Sequence, residues 1–136
     1  MYKELDISIL KGKTLTNVEV NKLGKNYIKF TDTDNNNYIM FHERDCSEIV
    51  YIEDICGDIN NLTGSPLTMA ECVTKENTDT SYEDGCSITW TFYKLATVKG
   101  YVTIRWYGES NGWYSERVDF GIEEKSDIEI DLSKRQ

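Results

Sequence analysis

ITWTFYKLATVKGYVTIRWYGESNGWYSERVDF, residues 88–120, holds all three tryptophans and four of the nine tyrosines of a 136-residue chain. Three runs here, 87–95, 101–107 and 113–120, are dense in β-branched and aromatic residues, the side chains that suit a pleated, half-buried surface. Gly100 and the polar turn ESNG at 109–112 separate them, as short glycine turns separate antiparallel strands. Alternation places Ile88, Trp90 and Phe92 on one face and Thr89, Thr91 and Tyr93 on the other. The stretch is expected to form the core of a sheet. Base stacking is another use of such a face, but the local charge around Lys94 and Arg105 is close to neutral, so single-strand nucleic-acid binding is set aside. Trp113 and Tyr114, next to Asn111 and Gly112, read as an exposed aromatic anchor for a protein partner, since Trp, Tyr and Arg dominate interface hot spots.

Outward from this block the strand signal continues. Residues 14–22 alternate, and 27–31 and 38–42 flank the polar run DTDNNN at 32–37, which reads as a hairpin. Residues 48–53 and, more weakly, 67–74 follow the same pattern, with Pro66 at a strand start, where its missing N–H is tolerated. Helical signal is confined to 3–10 and 54–62. The expected fold is therefore α+β, mostly β: a twisted antiparallel meander of about six to seven strands with one or two short helices. A single domain over 1–122 with a C-terminal tail over 123–136 fits the length.

Charge is concentrated. Between Glu43 and Asp84 eleven acidic residues face only Arg44 and Lys75, which accounts for the whole formal net charge of −9. Such a chain does not supply the clustered Lys and Arg that bind phosphate, and it suits a basic partner. No long apolar run offers a membrane span or a secretory leader, so a cytoplasmic location is expected.

Three of the four cysteines, Cys46, Cys56 and Cys72, lie in the same acidic stretch and Cys86 lies just beyond it, with the one histidine, His42, directly before it. Reduced cytosolic thiols are core residues or metal ligands rather than disulfides. If the strands run as a meander, His42, Cys46, Cys72 and Cys86 meet at one rim as a closed structural Zn2+ set of one imidazole and three thiolates. Cys56 substitutes for one ligand under a different strand order, and burial of the cysteines as small hydrophobes is the alternative. No glycine-rich phosphate loop, Gly-x-Ser-x-Gly or His-Glu-x-x-His occurs, and an enzyme is not expected.

The segments FHERDC (41–46), VYIEDICGD (50–58), LTGSPLTMAE (62–71) and 89–120 resemble a family of small bacteriophage and prophage proteins with a domain of unknown function. Some proteins in such phage families are anti-CRISPR inhibitors of type II effectors, and this chain is similar to those acidic inhibitors. The resemblance implies a host type II CRISPR effector nuclease as partner, met in the bacterial cytoplasm, with no direct nucleic acid and no small-molecule substrate. The surface expected to meet it is Glu43, Asp45, Glu48, Glu53, Asp54 and Asp58, with Trp113 and Tyr114. The alternative is an acidic phage accessory protein, stabilised by zinc, that acts on another basic host partner.

Overall fold

In the computed structural model, which describes residues 2–23, 26–44, 47–77, 87–112 and 114–124, the aromatic block forms the longest hairpin. Strand β7 (Ser87–Thr97) pairs with β8 (Gly100–Ser110) without interruption from Ser87↔Ser110 to Thr97↔Gly100. The reversal requires glycine at 100. Its φ is 151° and a Cβ there would fall 2.7 Å from the Asn61 amide nitrogen. The Thr97 hydroxyl accepts the Lys99 N–H at 3.1 Å and donates to the Asn61 carbonyl, closing the turn from both sides.

Strand β5 (Ile49–Cys56) pairs with the other edge of β8, and β6 (Met69–Asn77) with the other edge of β7, giving a four-stranded antiparallel sheet in the order β5-β8-β7-β6. The remaining strands are β1 (Tyr2–Glu4), β2 (Leu15–Asn21), β3 (Tyr27–Asp32), β4 (Asn37–Phe41) and β9 (Asp119–Glu123). They form a second antiparallel sheet in the order β1-β9-β4-β3-β2. The fold is mostly β, as the residue pattern implies, and the two expected helices are single 3-10 turns, Ile7–Leu10 and Ile59–Leu62. Each turn is capped by an aspartate, Asp6 on Ser8 N and Asp58 on Asn60 N. None of the described helices is long and apolar enough to cross a membrane.

Two expectations change. The strands do not form one meander, because β4 already has β3 on one side and β9 on the other. With both edges filled, the chain after Phe41 leaves that sheet, and β5 pairs with β8 instead. Nor are the described residues 114–118 of the expected strand 113–120 in a strand: among the described residues of that segment, pairing begins at Asp119, in β9, with β4 and β1 as partners. After Gly112, at φ 92°, the chain is drawn over the inner face of β7 by Glu116. The Glu116 carboxylate accepts the Thr89 hydroxyl at 2.7 Å and the Ser110 hydroxyl at 2.5 Å.

The core lies between the sheets. Ile28, Phe30, Tyr38, Met40 and Phe120 from one side face Ile52, Tyr93, Leu95, Val102, Ile104 and Trp106 from the other, all buried. The 3-10 turns close the ends with Ile7, Leu10 and Leu62. Trp106 joins the two layers, its indole N–H donating to Met40 Sδ at 3.3 Å. The β3–β4 turn is organised by Asp32, whose buried carboxylate accepts the Asp34 and Asn36 N–H groups at 2.9 Å each, Asn36 Nδ2 at 3.1 Å and the Tyr38 hydroxyl at 3.0 Å.

Candidate functional site

The alternation of β7 was legible, and the structure decides which of its faces is buried. Tyr93 and Leu95 point into the core with Thr91, whereas Trp90 and Phe92 lie half-buried on the outer face of the four-stranded sheet. On that face Trp90 meets Tyr107 edge-on at 4.9 Å between ring centroids, and Tyr107 leans on Tyr51 at 5.5 Å. The Arg105 guanidinium lies 5.5 Å from the Trp90 ring centroid, a cation–π geometry. Glu53 binds the same guanidinium directly and Asp54 lies 3.8 Å from it. Tyr107 donates its hydroxyl to Glu109 at 3.3 Å. Strands β5 and β8 thus carry Glu53, Asp54 and Glu109 against Arg105 alone. Ile49, Tyr51, Met69, Val73 and Tyr101 extend this face as exposed large apolar side chains. A contiguous exposed apolar surface rimmed by polar groups is the mark of an interaction site.

Of the four residues expected at a metal site, His42 and Cys72 are described. Cys46 and Cys86 lie outside the described residues, as do Asp45 and Trp113 of the expected partner surface. His42 uses both ring nitrogens, Nδ1 to the Arg117 carbonyl at 2.6 Å and Nε2 to Glu48 Oε2 at 2.9 Å. A carbonyl only accepts, so Nδ1 carries hydrogen. This pair clamps the crossover from β4 to β5. Cys72 stands opposite Tyr93 in mid-strand, whereas His42 directly follows β4, in the other sheet.

Cys56 and Cys72 lie on opposite edge strands of the sheet. Asp54, accepting the Cys56 thiol at 3.4 Å, raises that pKa, and burial raises that of Cys72. Among the described residues no group of three or more His, Cys, Asp or Glu side chains is placed to hold a metal ion.

The expected acidic surface is thinned by the fold. Glu48 is buried on His42 and presents nothing to a partner. Asp58 is exposed while capping its 3-10 turn, Glu43 is exposed, and Glu53 and Asp54 are half-buried beside Arg105. Tyr114 is half-buried and lines a cleft of about 560 Å³ on the inner side of β6 and β7, together with Asp6, Cys72, Thr74, Thr91 and Glu116. The Trp90, Tyr107 and Tyr51 cluster was not singled out by sequence reasoning. Its signal was available in the alternating positions 51, 90 and 107, which become neighbours once β5 and β7 flank β8.

Residues 8–120 match the family described as a domain of unknown function, DUF7448. No curated protein and no solved structure matches the chain.

Proposed function

The chain belongs to the DUF7448 family, and on that premise we propose that it is a protein-binding module whose outer sheet face engages a basic partner. The observation that carries this is the Tyr51, Tyr107 and Trp90 cluster, edged by Glu53, Asp54 and Glu109 on the same two strands. Aromatic anchors supply contact area, and the carboxylates supply complementarity to lysine and arginine. A net charge of −9 adds a long-range field that speeds encounter with a basic surface.

The finer reading is a phage-encoded anti-CRISPR inhibitor acting on a type II RNA-guided nuclease. Such effectors hold their heteroduplex in a positively charged channel and read the adjacent duplex with arginines, so an acidic protein competes for the same surfaces as DNA. The resemblance of residues 89–120 to phage proteins supports this choice of partner.

The test is target-DNA cleavage by a purified type II effector with increasing amounts of this protein. Inhibition that weakens as salt rises, and is lost in Trp90→Ala combined with Glu53→Lys, is the expected result. An effector that neither binds the protein nor slows at low salt would end the finer reading. Binding to the effector that is unaffected by these substitutions would move the interface elsewhere.

A further inference from the structure

The four outer strands of the two sheets differ in how they treat their free edges. Strand β1 has three residues. The pairing of β2 is broken by a register shift between Leu15 and Asn17, and that of β5 by one between Ile52 and Asp54. Short strands and bulges are the usual protections against edge-to-edge pairing. Strand β6 has neither. It runs nine residues, pairs with β7 in unbroken register from Met69↔Ala96 to Asn77↔Ile88, and is outermost among the described strands of its sheet. The 3-10 turn at Ile7–Leu10 packs against it, and Ala70 is buried, yet every residue from Glu71 to Glu76 is exposed.

The sequence of this edge, MAECVTKEN, is complementary to itself. In an antiparallel pair, residues directly opposite share a face and interact across about 5 Å. If two copies of β6 pair about a two-fold axis through Val73, Val73 faces Val73, Glu71 faces Lys75 and Lys75 faces Glu71, all on the outer face. Moving the axis to Glu71 or to Lys75 sets like charges opposite each other. Placing it at Cys72 or Thr74 leaves neither charge opposite its counterpart. Charge therefore selects one register.

We propose that β6 is the interface between two copies of this chain, joined antiparallel through Val73 into a continuous eight-stranded sheet. A two-fold pairing of this kind is isologous, so one attractive contact occurs twice. Val73, 45% exposed in the single chain, and Met69, 39% exposed, then join Phe92 and Trp90 in one apolar band across both copies. This inference stands on the edge of the sheet and does not depend on the identity of the partner proposed for its face.

Sedimentation velocity over a concentration series tests it. The unmodified chain is expected to dimerise. Lys75→Glu turns both Glu71–Lys75 contacts into like-charge contacts, which raises the dissociation constant roughly tenfold or more. Glu71→Lys combined with Lys75→Glu exchanges the charges and restores the dimer. Lys75 stands opposite Trp90 and Glu71 opposite Lys94 within the monomer, so Lys75→Glu is the cleaner single change, with circular dichroism confirming that each variant is folded. A wild-type protein that stays monomeric up to about 0.5 mM overturns the proposal. So does a dimer indifferent to Lys75→Glu, or a double variant that fails to recover.

Discussion

Replacing Asp32 by alanine removes the acceptor that organises the β3–β4 turn. Four donors lose their partner: the N–H groups of Asp34 and Asn36, the Asn36 side-chain amide and the Tyr38 hydroxyl. Asp34 is exposed and Asn36 half-buried, so water replaces part of the loss there, whereas Tyr38 is 2% exposed and its O–H is left in the core. An orphaned buried donor costs about 1–3 kcal/mol and each of the three other hydrogen bonds exchanged for water about 1 kcal/mol, which gives a destabilisation of about 4–6 kcal/mol. Asp32→Asn keeps one oxygen for the two backbone N–H groups and should cost about half as much.

Urea unfolding followed by tryptophan fluorescence reads this as a lower midpoint at unchanged slope. The pH dependence supplies a second check. Burial pushes the Asp32 pKa up, but hydrogen bonds from Asn36, Tyr38 and Asp34 outweigh it and hold the folded value below the ordinary one. The unfolded carboxylate therefore takes up its proton first as pH falls. The Asp32 contribution is fully present above about pH 4 and is lost as pH drops through the folded value. The stability gap between wild type and Asp32→Asn should accordingly hold above about pH 4 and narrow as pH falls below it. A loss below about 1 kcal/mol for Asp32→Ala, or a gap that widens in acid, would refute the reasoning.

Other expectations follow from single contacts. Trp106→Ala empties a site 1% exposed between the sheets and should cost about 3–5 kcal/mol in the same urea assay. A Cβ at Gly121 would collide with the Lys3 carbonyl and the Tyr2 ring. Gly121→Ala is therefore expected to detach β1, seen as faster amide exchange at residues 2–4 and a loss of about 1–3 kcal/mol. Glu116→Ala releases Thr89 and Ser110, so amide exchange should rise over 114–118 while β7–β8 stays protected. With both His42 nitrogens in hydrogen bonds, chelation is expected to leave the urea midpoint unchanged. Near-stoichiometric zinc by elemental analysis, lost in Cys46→Ser, would reverse that reading.

How much was legible depends on the range of the interaction concerned. Strand positions, the β3–β4 turn at DTDNNN, the reversal at Gly100 and the two capped turns follow from local chemistry: alternation, β-branching, and the ability of Asp and Gly to close turns. The residue pattern also determined the two faces of β7, because side chains alternate on any strand. It could not determine which face is buried, since Ile88, Trp90 and Phe92 are at least as apolar as Thr89, Thr91 and Tyr93. That choice follows from where the second sheet packs. Tertiary structure likewise decided that β9 fills the edge of β4, that β5 crosses to β8, and that Glu48 turns inward to His42 rather than outward to a partner. Each is a pairing between residues distant in sequence, selected by competition for strand edges and buried volume, and no local pattern encodes the outcome of that competition.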